Sequence, residues 1–221
     1  MTEPVTQLPA SNDAAVAPDT PPRDRERGAR ALGWWRRHCD PANPKGDPAT
    51  RARLRRARSH LDVLRIEPAV ALARLLGAAP TSHAAPAWRV NAALDLARVL
   101  AHVKAHEDRH PMQAAGWKRF PGDRKESDAG GDRPMLSNAR FKRLLETGEG
   151  DEKVLAFTRL VALLGGTVNV AQLASDFLTW NHPEFGDRVH ERWAFEYLAA
   201  GSAAPPPPPI DDSSDPEDDA A

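Results

Sequence analysis

The sequence has little of the material from which disulfides, strands and membrane spans are built. Cys39 is the only cysteine, so no disulfide can form within the chain, and a reducing compartment is expected. Isoleucine occurs only at positions 66 and 210 and tyrosine only at 197, a composition that disfavours strands and favours helices. No apolar stretch approaches the roughly 18 residues of a membrane span, and no apolar signal region follows Met1. We therefore expect a soluble, cytoplasmic, all-α protein.

The common catalytic motifs are missing as well. The chain contains no G-x-x-x-x-G-K, G-x-G-x-x-G, G-x-S-x-G or C-x-x-C pattern, so nucleotide hydrolysis, dinucleotide binding and the usual nucleophiles lack support. HEDRH, from His106 to His110, matches the zinc-hydrolase motif H-E-x-x-H, with His102 as a possible third ligand. That motif needs both histidines on one helix face, yet Pro111 follows at once and the two middle residues are charged. We expect no metal, no cofactor and no enzymatic activity.

The two ends of the chain differ in composition from its middle. Residues 1–22 are rich in Ala, Pro, Thr and Asp, and residues 202–221 combine five consecutive prolines with six acids. Neither segment can bury enough apolar surface to offset the entropy of ordering, so we predict that both are disordered. Residues 23–201 remain as one helical domain, in which 22 acids stand against 30 Lys and Arg, a net charge of +8. A basic body of this kind indicates an anionic partner.

Helical periodicity divides this domain into a compact multi-helix bundle. Apolar spacing, capping residues and flanking Pro and Gly predict helices at about residues 27–38, 49–61, 68–77, 87–106, 137–147, 151–164, 169–180 and 185–200. Leu54, Ala57 and Leu61 should face inward from the second helix, and Trp88 should join the core stripe of the fourth. Residues 107–134 show no periodicity and are predicted to form a long basic loop.

Arginine clusters are the strongest functional signal. RARLRRAR, from Arg51 to Arg58, holds five arginines and no acid, and on a single helix Arg51, Arg55 and Arg58 share one face. Guanidinium groups so spaced suit a phosphate backbone through their bidentate fork. The predicted nucleic-acid-binding residues are Arg51, Arg53, Arg55, Arg56, Arg58, Lys118, Arg119, Arg140, Lys142 and Arg143. The competing interpretation is that these residues solvate helix faces and pair with carboxylates.

The order of these motifs matches a known pattern. An early WWRRH is followed by RARLRRAR, a long helix ending in His, LSNARFKRLLETGEGDE, and VNVAQLASDFLTWN. RFKRLL (Arg140 to Leu145) and an LA-x-D-x-L-x-W pattern (Leu173 to Trp180) carry most of the match, which covers roughly residues 27–200. On these motifs the chain resembles the CasB family, the small subunit of the type I-E CRISPR surveillance complex Cascade.

The resemblance implies an all-α subunit without enzymatic activity that occurs as a pair in its complex. It implies contacts with the large subunit and the backbone subunits, beside guide RNA and target DNA. Arg55, Arg56, Arg140 and Arg143 match the family's basic positions, and the basic surface is implied to support the displaced strand and so the R-loop. The alternative is a free-standing helical DNA-binding regulator that reads duplex DNA with residues 49–77. The acidic tail is not part of the family pattern, and we expect it to compete with DNA for the basic face.

Overall fold

The computed structural model describes residues 22–78, 87–116 and 134–202. The segments predicted to be disordered, 1–22 and 202–221, lie outside the described residues except at their inner edges. Most of the predicted loop 107–134, with Lys118 and Arg119, also lies outside them. Within the three described ranges, no helix is both long and apolar enough to cross a lipid bilayer.

Helices form nearly all of the regular structure in these ranges, so the all-α prediction is confirmed. In chain order they are α1 (Pro22–His38), α2 (Pro48–Arg56), α3 (His60–Leu64), α4 (Glu67–Leu75), α5 (Ala87–Leu100), α6 (Pro111–Gly116), α7 (Asn138–Leu145), α8 (Asp151–Leu163), α9 (Val170–Thr179) and α10 (Gly186–Ser202). The predicted helices agree with these bounds to within a few residues, apart from the second and the fourth. The first begins earlier than predicted, at a proline, which suits the first turn of a helix.

The second predicted helix is split in two, and this corrects the interpretation of the arginine cluster. α2 ends at Arg56 because Ala57 adopts an extended conformation, with φ −63° and ψ 127°. α3 then starts from a capping box, in which the side chains of Ser59 and Asp62 each bond to the other residue's backbone amide. Ala57 is buried as predicted, whereas Leu61 lies on α3 with 69% of its surface exposed.

The fourth predicted helix is shorter than expected. α5 ends at Leu100, and the chain then forms a two-residue strand, β1 (Ala105–His106), which pairs in parallel with β2 (Thr167–Val168). The pairing partner is distant in sequence, so no local pattern indicates it. The predicted loop is corrected as well, because Pro111–Gly116 forms α6, in which the proline again takes the first turn.

The core is built around aromatic side chains from the last three long helices. Phe157 of α8 lies edge-on to Phe177 of α9 and to Trp180, which directly follows α9, with ring centroids 4.9 and 5.0 Å apart. Trp193 of α10 joins them. All four rings are buried. α1 packs along α9, and α6 packs along α10. Trp88, predicted to pack in the core, is instead 37% exposed because its ring lies at the surface against the edge of a histidine ring.

Candidate nucleic-acid interface

The helix that carries the arginine cluster starts at a strong N-cap. Asp47 Oδ1 accepts hydrogen bonds from the amides of Ala49 and Thr50, each 3.0 Å long, and Pro48 occupies the first turn. The Thr50 hydroxyl also donates to this carboxylate, and the bonds from Thr50 hold the pKa of Asp47 below its usual value. The cap fixes where α2 begins, and the fully buried Leu54 fixes which side of α2 faces the core.

Two of the five arginines bond to the end of a neighbouring helix, although Arg51 is only partly buried and Arg55 is exposed. The Nε atoms of Arg51 and Arg55 donate to the same carbonyl oxygen, that of Ala101, over 3.2 and 2.8 Å. Ala101 directly follows α5, and the carbonyl end of a helix carries partial negative charge, so guanidinium groups are favourable there. These two arginines therefore hold α2 against the end of α5.

The other three arginines are exposed and do not bond to the end of α5. Arg53 and Arg56 each donate one hydrogen bond to a backbone carbonyl, those of Arg65 and Ala52, over 2.8 and 3.0 Å. Arg58 lies beyond the end of α2, so the predicted row of three arginines on one helix face does not exist. Its guanidinium has no hydrogen-bond partner among the described residues. We call Arg53, Arg56 and Arg58 the α2 ridge.

The partners of these arginines are backbone carbonyls and not acids. Within the parts of the chain that the structure describes, none of the five arginines of RARLRRAR forms an ion pair with a carboxylate. The part of the competing interpretation in which these arginines pair with carboxylates finds no ion pair here, whereas its other part, solvation of helix faces, fits the exposed Arg53, Arg56 and Arg58. Asp47 and Asp62 lie near the two ends of the cluster, but neither forms an ion pair with one of its guanidinium groups among the described residues.

Arg51 and Arg55 border a small cavity of about 230 Å³ that is also lined by Cys39, Asp40 and Asp47. Cys39 is only 1% exposed, and burial raises its pKa to about 12, although the charges of Arg51 and Arg55 act in the opposite direction. Burial, together with Arg55 and Arg51, lowers the pKa of the neighbouring His102. The nearby guanidinium groups therefore do not activate the thiol.

Cys39 should be unreactive in the folded protein. A thiol with a pKa of about 12 is almost wholly protonated at neutral pH, and the thiolate is the reactive form. We expect a maleimide dye to label less than about a tenth of the native protein in an hour and all of it after denaturation. Mass spectrometry measures the dye-to-protein ratio. Stoichiometric labelling of the native protein would contradict this placement of the thiol.

A second basic surface lies between α7 and α8, in a groove of about 700 Å³. Its apolar lining includes Leu144, Leu155, Leu160 and Leu163, and its basic lining is Arg140, Arg143 and Arg159. Arg140 and Arg143, three residues apart on α7, line the same groove. Lys142 is exposed on α7 but is not among the lining residues. We call this feature the α7–α8 groove.

Sequence reasoning missed Arg159. The signal that identifies it is its spacing of four residues from Leu155 on α8, which places both side chains on the groove side of the helix. None of the three groove arginines has an ion-pair partner within residues 22–78, 87–116 and 134–202. Glu152 also lines the groove, so three guanidinium groups face one carboxylate there.

The zinc motif does not form the helix that its chemistry requires. His106 lies on β1, where its Nδ1 accepts from the amide of Val170 over 3.2 Å. His110 precedes α6, and its Nδ1 accepts from the amide of Met112, also over 3.2 Å. The two histidines are four residues apart in sequence, but they do not lie on the same helix, as the motif requires. Among the described residues, no three potential metal ligands come together.

The fold and its surfaces define an all-helical protein with two basic features, the α2 ridge and the α7–α8 groove. The family model for CRISPR-associated protein Cse2 matches residues 50–198, a range that includes both features. The chain belongs to the Cse2 family. The resemblance to the CasB family is thereby confirmed, because Cse2 and CasB name the same family.

Two matches from Thermus thermophilus show how far the similarity extends. A CRISPR-associated protein Cse2 from this organism is 41% identical over 64 residues, 28% of this chain. The alignment spans 37% of that relative's length. A crystal structure of a CRISPR-associated protein of the Cse2 family, from the same organism, matches with a TM-score of 0.52 at 24% identity, covering 78% of this chain and 97% of the other. The second comparison is a likeness of fold.

Proposed function

We propose that this chain is a non-catalytic, cytoplasmic subunit of a type I-E CRISPR Cascade complex in antiviral defence. It acts as a homodimer against the large subunit and the backbone subunits, and it supports the displaced DNA strand after target DNA has paired with guide RNA. The observation that carries the proposal is the exposed positive charge of the α2 ridge, which meets no carboxylate among the described residues. Membership in the Cse2 family supports the same role.

The chemistry of such a surface is simple. Guanidinium groups neutralise phosphates and release condensed counterions, so binding weakens steeply with salt and is indifferent to base identity. In an RNA-guided complex, base pairing with the guide reads the sequence. R-loop formation is nearly balanced in energy, so a few contacts to the displaced strand shift the equilibrium towards the open state. No metal, cofactor or catalytic residue takes part.

The structure suggests different roles for the predicted residues. Arg51 and Arg55 position α2 through the carbonyl of Ala101, so we assign phosphate contact mainly to the exposed α2 ridge. Arg140 and Arg143, with Arg159, supply a second set of contacts from the α7–α8 groove. Lys118, Arg119 and Lys142 remain proposals from clustering alone.

The first experiment is a tagged pull-down from the native host, followed by sequencing of RNA that co-purifies. Short, repeat-derived guide RNAs recovered together with other Cascade subunits are the expected result. A clean monomer or dimer without RNA would contradict the proposal and favour the free-standing regulator, which a search for specific duplex sites would then test.

Replacing the α2 ridge should weaken binding of single-stranded DNA in a salt-dependent way. For the triple variant Arg53→Ala, Arg56→Ala and Arg58→Ala, we expect the slope of log Kobs against log salt to fall by about 2, because each phosphate contact with a single strand contributes about 0.7. The loss should be the same for unrelated base sequences. Fluorescence anisotropy at several salt concentrations measures it, and R-loop lifetime measures the effect in the assembled complex.

The matched control removes the same charge from other elements. Arg25, Arg74 and Arg188 are exposed on α1, α4 and α10, and their triple alanine variant changes the net charge equally. We expect the slope of this control to differ from the wild-type slope by no more than about 0.7, the contribution of one phosphate contact. Equal slopes for the two triple variants would show that overall charge, and not the α2 ridge, holds the strand.

A further inference from the structure

The α7–α8 groove combines an apolar lining with a set of arginines, and a phosphate backbone alone would use only the arginines. Its lining is partly apolar, and Leu155 is 49% exposed on it. Its three arginines have no ion-pair partner within the described residues. A ligand that presents an apolar group together with several carboxylates satisfies both properties, because the apolar group covers the leucines while the carboxylates pair with guanidinium groups.

This chain carries such a ligand in its own sequence. Residues 210–219 read IDDSSDPEDD and contain six acids in ten positions, with Ile210 at the start. No lysine or arginine follows Arg192, so these acids have no basic neighbour along the chain. The negative charge of the segment complements the arginines of the groove, and its single apolar residue, Ile210, complements the leucines.

α10, the helix that precedes this acidic segment in the chain, packs beside the groove. Tyr197 of α10 stacks on Phe141 of α7, with ring centroids 4.2 Å apart and planes 13° apart. Its hydroxyl donates to the carbonyl of Leu136, a residue that lines the groove. α10 ends at Ser202, about 7.5 Å further along its axis.

The connection from α10 to the acidic segment is long enough to reach the groove. Residues 203–209 can span up to about 25 Å, since an extended chain covers at most ~3.6 Å per residue. Five of these seven residues are prolines, which favour an extended conformation over a collapsed one. Because the point of departure is already close to the groove, the acids of residues 211–219 can reach its arginines within one chain.

We infer that the acidic segment, residues 210–219, docks in the α7–α8 groove of its own chain. Ile210 covers the exposed leucine surface, and the carboxylates pair with Arg140, Arg143 and Arg159. Docking occupies arginines that we propose contact nucleic acid, so the segment acts as an internal competitor that a bound strand must displace. The docking itself does not depend on the proposed function; only the competition does.

A nitroxide label on the segment tests the docking in the full chain. A Ser213→Cys variant accepts the label selectively, because Cys39 is buried and its pKa is raised to about 12. At low salt, without nucleic acid, we expect paramagnetic broadening of NMR signals from α7 and α8, including the methyl groups of Leu155 and Leu163. The broadening should fade as salt is added, since exposed ion pairs are screened.

Charge reversal separates docking from general attraction. Arg143→Glu with Arg159→Glu should weaken docking by about tenfold and remove most of the broadening, because two attractive pairs become repulsive. Arg74→Glu with Arg188→Glu changes the net charge equally on other elements and should leave the broadening in place. Circular dichroism confirms that both double variants keep their helices.

The outcomes distinguish this inference from the proposed function. Broadening concentrated on α2, or spread evenly over the surface, overturns docking in the groove. Loss of broadening in both double variants also overturns it, because that result indicates a response to net charge alone. Single-stranded DNA added to the labelled protein should reverse the broadening, whereas DNA that binds without releasing the segment overturns the competition. Failure to bind DNA counts against the proposed function and leaves the docking result standing.

Discussion

Replacing Asp176 with alanine should lower the free energy of unfolding by about 3–5 kcal/mol, the cost of breaking a buried, charged hydrogen-bond network. The Asp176 side chain is fully buried in α9 and pairs with the guanidinium of Arg192. It also accepts from Trp193 Nε1 over 2.7 Å and from Gln172 Nε2 over 2.8 Å, and His110 Nε2 lies 3.5 Å away. Removing the carboxylate takes an acceptor from the buried indole and leaves the guanidinium without this counter-charge.

Urea denaturation followed by tryptophan fluorescence measures this loss, and two variants bracket it. Asp176→Asn keeps one carbonyl oxygen but loses the charge, so its loss of stability should be intermediate. Asp187→Ala removes an exposed carboxylate from the first turn of α10 and should cost at most about 1 kcal/mol. A loss for Asp176→Ala no greater than that for Asp187→Ala would show that the network does not hold α9 and α10 together.

The same network connects the core to the α7–α8 groove. Asp176 on α9 binds two consecutive residues of α10, and one turn further along α10 is Tyr197, which supports α7 through Phe141 and the carbonyl of Leu136. α10 therefore supports the helix that carries Arg140 and Arg143, although neither arginine contacts Asp176 itself. We expect Asp176→Ala to loosen the groove even at temperatures at which the protein remains folded.

The sequence predicts the elements whose signals are local. The buried faces of α8 and α9 follow apolar spacing, and Asn169 caps α9 through the amide of Gln172 as its position indicates. One error was itself local, because the S-x-x-D capping box of Ser59 and Asp62 that starts α3 is visible in the sequence. The error at the end of α5 depends on a non-local contact. α5 stops at Leu100 because the chain beyond it pairs with β2, and the amide of Lys104 bonds to the carbonyl of Gly166. No periodicity within residues 87–106 contains that information.

The candidate site also combines features that the sequence predicts with features that depend on contacts between distant residues. The clusters RARLRRAR and RFKRLL are visible as composition, and Arg140 and Arg143 do share a groove. The hydrogen bonds of Arg51 and Arg55 depend on the carbonyl of Ala101, a residue at the end of another helix that sequence spacing cannot place. A count of arginines therefore predicts the presence of a basic surface better than it predicts which side chains are free to bind.

Because α1 packs on α9, we expect two glycine-to-alanine substitutions on α1 to have opposite effects on stability. Gly28 lies where α1 crosses α9, and an added Cβ would press against the backbone carbonyl of Ala171. Gly28→Ala should therefore cost about 1–3 kcal/mol or more, because backbone cannot give way as a flexible side chain does. An alanine Cβ at Gly33, on the same helix, would meet nothing within 4 Å.

Gly33→Ala should instead raise stability by about 0.5–1 kcal/mol, the difference in helix propensity between glycine and alanine. Both substitutions add one methyl group to α1, so propensity alone predicts the same gain for each. Thermal denaturation of the two variants beside the wild type therefore isolates the α1–α9 contact. Equal gains would mean that the helices lie further apart than the contact with Ala171 requires, whereas a fall in Tm for Gly28→Ala alone is the result expected of a close backbone crossing.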